Sequence, residues 1–296
     1  MRSAFVFLAL WIAACGARTP LDLGETSGDD DDDGDGGVHS GIDGSSLADA
    51  RPPNKPTRIG YIAAIGAGDQ GAFAVARFYP QTVDPACAYL GSVGTCTLVS
   101  CFTNTDAPPS RDAGLINVSV SSTSDGALLS YVGASPTGTY PTATFASPSA
   151  VRAGASIDFV GHGAVDVPAF DTRLTAPSFG MLTSPVLQVP TAVDSSQDLP
   201  LTWGPIATGD AVFSLSPPTS SDMTPTLVCI FDSSSGAGVV PHAQLEALKH
   251  LSPSGDVQAS FLAMSRASTV AGDWTVSVIS VTETGTSQQS GTITLE

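Results

Sequence analysis

The sequence predicts an all-β protein with one or two antiparallel β-sandwich domains and one short helix. After residue 57, short runs alternate apolar and polar residues, as in segments 116–120, 199–203 and 274–278. An alternation with a period of two residues is typical of strands that bury one face. Clusters such as GDQG, SPTG and SSSGAG separate these runs and have the composition of turns. Strands without intervening helices favour antiparallel sandwiches over a parallel α/β sheet.

The remaining elements follow from the same patterns. Further candidate strands are segments 60–65, 73–78, 156–160, 211–216, 226–231, 259–264 and 292–296. Segment 241–251 is the one predicted helix, because Pro241 suits a first helical position and Leu245, Leu248 and Leu251 recur near one face. We expect a domain boundary near Pro185, which gives a first sandwich over 58–185 and a second over 186–296.

Segment 15–57 is predicted to be a disordered acidic linker. From position 16 it contains ten acidic residues against three basic ones, and most of the remainder is glycine, serine and proline. Such a composition buries too little apolar surface to offset the entropy of ordering. The whole chain of 296 residues carries a net charge of −17, with 28 acidic and 11 basic residues. Nucleic acid is therefore not an expected partner, because phosphate binding needs clustered Lys and Arg.

The first fourteen residues are predicted to be a signal peptide. A basic start at Arg2 precedes an apolar run over 4–11 that is shorter than the ~20 residues needed to span a bilayer. The following Ile12-Ala13-Ala14-Cys15 resembles the lipobox of bacterial lipoproteins, in which the cysteine is acylated and becomes the mature N-terminus. An ordinary cleaved signal is the alternative. The residue directly after the cysteine is Gly16. In some bacteria an aspartate at this position retains lipoproteins in the inner membrane, so the glycine favours the outer membrane.

Four further cysteines, Cys87, Cys96, Cys101 and Cys229, are compatible with disulfides in an exported protein. Four cysteines allow three pairings, and we expect one local bridge among the first three. Cys229 lies in a strand-like run and is equally compatible with a buried free thiol. A zinc site is the alternative, although the sequence contains no CxxC pair and no histidine near the cluster.

Two segments match the sequence patterns of ligand-binding motifs but lack other features that those motifs require. GAGDQG over 66–71 matches a dinucleotide-binding GxGxxG, but the alternating AFAVARF that follows predicts a hairpin. Asp29, Asp31 and Asp33 resemble the opening of a calcium loop, yet its twelfth position is Ser40. Only weak cation association is expected there, and no cofactor is predicted.

No catalytic residue is predicted, because the chain contains neither GxSxG nor HExxH. The four histidines, His39, His162, His242 and His250, are interpreted as surface residues. Six aspartates near strand ends are candidates for a carboxylate pair, but none of these pairs is favoured by the sequence. The six candidate aspartates are Asp158, Asp166, Asp171, Asp210, Asp232 and Asp273. Tyr89, Tyr131 and Tyr140 are candidates for stacking on sugar rings.

Several segments resemble uncharacterised lipoproteins of myxobacterial type: CGARTPL, DAGLINVSV, GASIDFVGHGAVDVPAF, DLPLTWGP and LVCIFDSSSGAGVVPHAQLEAL. The resemblance implies export and a β-domain, and it brings no catalytic residue. Trp203 followed by Cys229 also resembles immunoglobulin-like and fibronectin-like sandwiches, although no cysteine lies on an earlier matching strand.

These observations favour a noncatalytic cell-envelope lipoprotein. The expected partners are the membrane, through the lipid on Cys15, and an envelope protein or glycan bound by loops of the sandwich. The alternative is an exported hydrolase acting on envelope polymers or other extracytoplasmic substrates. A purely structural subunit is a third possibility, which would expose a large apolar patch.

Overall fold

The computed structural model describes residues 58–296 apart from 68–70, 81–86, 103–108, 122–124, 219–222, 284–289 and the single positions 136, 179, 188, 205, 207 and 253. The predicted signal peptide and linker, with Cys15, Asp29, Asp31 and Asp33, lie outside the described residues. The part of the chain that the structure describes contains no candidate membrane-spanning helix.

Eighteen strands make up most of the described chain, which confirms the predicted all-β class. In chain order they are β1 (Arg58–Ala67), β2 (Ala72–Tyr79), β3 (Cys87–Val93), β4 (Cys96–Phe102), β5 (Ile116–Val120), β6 (Gly126–Leu129), β7 (Ala143–Thr144), β8 (Ser156–Gly161), β9 (Phe170–Thr175), β10 (Leu182–Ser184), β11 (Thr191–Val193), β12 (Leu199–Trp203), β13 (Asp210–Ser216), β14 (Met223–Asp232), β15 (Ala237–Val240), β16 (Asp256–Ala271), β17 (Trp274–Glu283) and β18 (Ser290–Leu295). A 3-10 helix (Ser233–Ser235) and one α-helix, α1 (His242–Leu251), complete the elements described.

The strands form one large sheet and two small ones. The central sheet has eleven strands in the order β3-β4-β14-β13-β16-β17-β1-β2-β7, with β18 paired to β16 and β11 paired to β18. A four-stranded sheet has the order β6-β5-β8-β9, and a three-stranded sheet has the order β10-β12-β15. The pairs β1–β17 and β11–β18 are parallel, so the central sheet is mixed, while the other described pairs are antiparallel.

The long strand β16 joins the two halves of the central sheet. Its first part pairs with β13 and β18, and its last part, from Ala263 to Ala271, pairs with β17. The four-stranded sheet packs on the half containing β1, β2 and β17. The three-stranded sheet and α1 pack on the half containing β4, β13 and β14.

A third apolar cluster fills the opposite face of the central sheet. It joins residues of β1, such as Tyr61 and Ile65, to Val99 on β4 and Val228 on β14, all of them buried. Because neighbouring residues of a strand point to opposite faces, Ile62 and Ala64 on β1 join the cluster under the four-stranded sheet instead. Strand β1 is thus buried on both faces, which explains its continuous apolar sequence.

The boundary expected near Pro185 does not separate two sheets. Strands β1 to β4 precede it, yet they share the central sheet with β13, β14, β16 and β17, which follow it. The reason is the long-range pairing of β1 with β17, in which Arg58 is opposite Trp274. The segments 58–185 and 186–296 therefore share hydrogen bonds and cores.

The two strands that flank the glycine-rich segment pair as a hairpin, as the sequence predicts. Strands β1 and β2 are antiparallel, with Gly66 opposite Ala72, and β2 stands where a dinucleotide fold would have a helix. The predicted helix is also confirmed as α1. Its Leu245 and Leu248 are fully buried, whereas Leu251 was wrongly expected on the same face and is 46% exposed at the helix end.

Candidate functional site

Three loops meet at one end of the four-stranded sheet, and we call the described residues 110–115, 131–135, 137–139 and 162–169 the loop surface. The amide of Val167 donates to the carbonyl of Asp112 (3.2 Å), and the amide of Gly163 donates to the carbonyl of Ala113 (3.1 Å). The approach is close enough that a Cβ on Gly114 would collide with the carbonyl of Gly163. The first and third loops are therefore held in direct contact.

Asp166 links the three loops to the central sheet. Its carboxylate accepts hydrogen bonds from the amide of Asp112 (3.2 Å) and from the hydroxyl of Ser135. Its main-chain oxygen accepts a bond from the indole Nε1 of Trp274 on β17 (3.0 Å). Asp166, one of the six candidate aspartates, therefore has a structural role, because its carboxylate oxygen Oδ2 accepts hydrogen bonds from the two other loops.

Two tyrosines fix the same loops from beneath. The Tyr140 hydroxyl accepts from the amide of Ala113 (2.7 Å) and donates to the carbonyl of Gly114 (2.9 Å). The Tyr131 hydroxyl donates to the carbonyl of Ser110 (2.8 Å) and accepts from the amide of Gly138 (3.0 Å). The two rings lie 5.3 Å apart in an edge-to-face arrangement, which is a favourable geometry for aromatic pairs.

Tyr140, a candidate for stacking on a sugar ring, is not available for that role. It is 1% exposed, and Tyr131 is partly buried, whereas Tyr89 is 45% exposed on β3. Burial raises the pKa of the Tyr140 phenol far above its ordinary value of 10.0, and the nearby Asp112 carboxylate raises it further, against a lowering by the Ala113 amide. The phenol therefore stays protonated and keeps its bond to Gly114.

On this fixed framework the loop surface presents apolar side chains to solvent. Val165 is 87% exposed, Val132 is 56% exposed and Leu115 is 41% exposed. Val165 lies in a tight turn in which the amide of Ala164 donates to the carbonyl of Val167 (2.9 Å). Exposed apolar residues on an ordered backbone are suited to binding, because little conformational entropy is lost when a partner docks.

The four cysteines are paired, and both disulfides lie at the β3–β4 hairpin. Cys87 on β3 is bonded to Cys101 on β4, which is the local bridge that was expected. Cys96 on β4 is bonded to Cys229 on β14. These pairings leave no free thiol among the four for a zinc ion, and no group of three His, Cys, Asp or Glu in the described chain is arranged to hold a metal.

The cysteine pairing differs from that of an immunoglobulin domain. Trp203 packs against Phe231 and Phe261 in the core beneath the three-stranded sheet, and its Nε1 donates to the carbonyl of Ser233 (3.1 Å). Cys229 lies in the same core, but its disulfide joins neighbouring strands of one sheet. An immunoglobulin disulfide connects two facing sheets.

The described histidines do not form a catalytic set. His162 is exposed on the loop surface, while His242 and His250 lie on α1. The Nδ1 of His242 lies 2.8 Å from Oδ1 of Asp198, and both side chains are exposed. The backbone amide of His242 also donates to Asp198, and these two bonds lower the pKa of the Asp198 carboxyl. The hydrogen bond shown for the His242 ring is thus to a carboxylate, whereas a nucleophilic triad would need a hydroxyl or thiol there.

One pair of the candidate aspartates is brought together. Asp210 at the start of β13 lies directly opposite Asp232 at the end of β14. Arg266 on β16 approaches the Asp210 carboxylate to 3.1 Å, and Asp232 accepts bonds from the amide and hydroxyl of Ser234. Burial raises the pKa of Asp210, whereas the Ser234 bonds lower the pKa of Asp232. The sequence carried no signal for this pair because it depends on strand register.

Comparisons with known proteins show no close relative. No protein-family model and no curated protein matches the chain. Among solved structures, the chain is similar to the FN1–FN3 domains of chicken CNTN1, with 12% identity over 67% of this chain and 65% of that chain and a TM-score of 0.18. It is also similar to Dpr11 IG1 bound to DIP-gamma IG+IG2, with 10% identity over 68% of this chain and 100% of that chain and a TM-score of 0.15. At these TM-scores the description of the fold rests on the strands of this chain.

Proposed function

We propose that this protein is a noncatalytic cell-envelope lipoprotein that binds another envelope component with its loop surface. The proposal rests mainly on the exposure of the Val165 side chain. This side chain is 87% exposed, and it lies on a turn that the hydrogen bonds of Asp166 hold in place. An apolar side chain in water contributes nothing to folding, whereas burying it against a partner contributes about 1.5–3 kcal/mol. Its fixed backbone lowers the entropic cost of that contact.

A protein is the favoured partner over a glycan. The exposed side chains of the loop surface include Val132, Val165 and Leu115, which offer apolar contact and no hydrogen bonds. Sugar recognition relies on exposed aromatic faces, and the two tyrosines of this region use their hydroxyls to hold the loops. Protein interfaces instead have apolar centres surrounded by polar residues.

The lipid on Cys15 is the proposed means of localisation, in the outer membrane. The support is the lipobox-like Ile12-Ala13-Ala14-Cys15 and the acidic composition of segment 16–57, whose like charges are expected to repel each other and favour an extended spacer. Mass spectrometry of the N-terminal peptide from isolated membranes tests this assignment. We expect an acylated peptide that begins at Cys15, and an unmodified peptide or a different first residue would overturn it.

Site-specific photo-crosslinking in intact cells tests the binding surface. A photoreactive amino acid at position 165 is expected to form an adduct with an envelope component. The matched control is position 239, because Val239 is 47% exposed on β15, away from the loop surface. Adducts of equal yield at both positions, or none at position 165, would refute binding by the loop surface.

A hydrolase is the second candidate, and the Asp210–Asp232 pair favours it. Two adjacent carboxylates with pKa values shifted apart are the arrangement that glycosidases use as acid and base. It ranks second because Arg266 and Ser234 already occupy the two carboxylates. Release of soluble fragments from purified peptidoglycan tests it: hydrolysis that is lost in both Asp210→Asn and Asp232→Asn, with the fold retained, would support an enzyme.

A further inference from the structure

Strand β3 lies at the edge of the central sheet and exposes apolar side chains. Among the described strands it pairs only with β4. Leu90 is 48% exposed and Val93 is 42% exposed. An edge strand also presents backbone donors and acceptors that are ready to pair with another chain. Proteins usually protect such edges with charged residues, proline or a β-bulge. Strand β3 (CAYLGSV) contains neither a charged residue nor proline, and its one such feature is a register shift between Tyr89 and Gly91.

The two disulfides hold this edge hairpin in place from both ends. Cys87, the first residue of β3, is bonded to Cys101, and Cys96, the first residue of β4, is bonded to Cys229 on β14. The hairpin is thus covalently closed and covalently joined to the next strand of the sheet. A binding edge that is fixed in this way loses little entropy on association.

The surroundings of β3 in the sequence are free of charge. Asp84 and Asp106 flank a stretch with no Asp, Glu, Lys, Arg or His, although the whole chain carries a net charge of −17. Two copies of a strongly acidic protein repel each other, and a contact through an uncharged surface adds no like charges at the interface itself. Contacts between different proteins often use complementary charges to gain specificity and a faster association rate. Strand β3 has no charged side chain that could serve in this way.

We propose that β3 forms the contact between two copies of this chain, related by a two-fold axis. In a two-fold contact the two β3 strands run in opposite directions, and the axis lies at Leu90, so that Leu90 of one copy meets Leu90 of the other while Val93 lies away from the axis. The register shift between Tyr89 and Gly91 marks a bulge at Leu90, which keeps the backbone ladder between copies short. The exposed side chains therefore supply much of the contact. This inference goes beyond the proposed function, because it uses a surface separate from the loop surface.

Cysteine crosslinking of the full chain extracted from membranes in mild detergent tests the contact. A two-fold contact with its axis at Leu90 brings position 90 of both copies together, so Leu90→Cys is expected to give an oxidant-dependent dimer that contains this chain alone. Leu128→Cys on β6 and Val239→Cys on β15 are the controls, since Leu128 is 60% and Val239 is 47% exposed on other edges. Peptide mapping checks that the two native disulfides are intact in each variant.

Sedimentation of the same full chain gives an independent reading. We expect the wild type and Leu128→Lys to form dimers, and we expect Leu90→Lys to weaken dimerisation by about ten-fold or more, because it places like charges opposite each other. The proposal is overturned if the wild type stays monomeric, if Leu90→Lys dimerises like the wild type, or if crosslinking at position 90 matches the controls or captures another protein. Photo-crosslinking at position 165 is independent of these results, so failure here leaves the proposed function standing.

Discussion

The indole Nε1 of Trp274 donates a 3.0 Å hydrogen bond to the main-chain oxygen of Asp166, a residue 108 positions earlier in the chain. Trp274 is the first residue of β17 and is fully buried, so it belongs to the rigid central sheet. Asp166 also holds Asp112 and Ser135 through its carboxylate. The turn that carries Val165 is therefore fixed by the core of the protein and by two other loops.

Removal of the Tyr140 hydroxyl tests the internal support of the loop surface. Tyr140→Phe leaves the buried amide of Ala113 without its acceptor, and we expect the free energy of unfolding to fall by about 1–3 kcal/mol. Tyr131→Phe is the matched control and is expected to cost less, because Tyr131 is only partly buried. Urea denaturation measures both. Equal stability of Tyr140→Phe and wild type would contradict a structural role for this hydroxyl.

The two disulfides are expected to contribute unequally to stability. The Cys87–Cys101 bridge closes a separation of 14 residues, and the Cys96–Cys229 bridge closes one of 133. In the chain-entropy model these separations correspond to about 3 and about 5 kcal/mol. Double alanine variants of each bridge, compared by urea denaturation, measure the difference. A larger loss in the Cys87→Ala/Cys101→Ala variant would show that entropy of the unfolded chain is not the dominant contribution.

The half-buried carboxyl of Asp210 is expected to make stability fall as pH rises. Its pKa in the folded protein is raised above the ordinary value of 3.8, chiefly by burial. A raised pKa means that the neutral form stabilises the fold, and this contribution is lost as pH rises from 3.8 through the raised pKa. Asp210→Asn cannot ionise, so its stability relative to wild type should increase over that range. Urea denaturation across pH measures the difference, and a constant difference would contradict the assignment.

Asp158 provides a control of opposite sign for the same measurement. The hydrogen bond from Arg173 lowers the pKa of Asp158, with a further contribution from Ser121. Its contribution to stability is therefore present above pH 3.8 and is lost as pH falls through the lowered pKa. The stability difference between wild type and Asp158→Asn should shrink in acid, whereas the difference for Asp210→Asn grows as pH rises from 3.8.

Local patterns predicted the elements well. The alternation around Val118 and Val276 identified β5 and β17, and the leucines at 245 and 248 identified α1, because these signals depend on neighbouring residues. The parallel pairing of Arg58 with Trp274 depends on contacts far apart in sequence and had no local signal. For the same reason, segments 58–185 and 186–296 were expected to be separate sandwiches, although they share the central sheet.

The candidate site was much less predictable than the fold. Asp112 and Asp166 are 54 residues apart, and nothing near either residue indicates that they meet. Tyr140 was a candidate for stacking on a sugar ring, yet its ring packs against Phe78 and Tyr131. The exposure of Val165 depends on how its turn folds, so the sequence alone did not indicate it. The pairing of Cys96 with Cys229 likewise required strand register, since three pairings were open.

The central claim is that the loop surface binds because its backbone is held in place, and one crosslinking measurement tests it directly. The yield of the adduct from a photoreactive residue at position 165 is compared in intact cells with and without Asp166→Ala. That substitution removes the carboxylate that holds Asp112 and Ser135 but leaves position 165 itself unchanged. We predict a strong adduct that falls by about ten-fold or more in the variant, provided that the purified variant remains folded. A yield that is unaffected by Asp166→Ala would contradict the account.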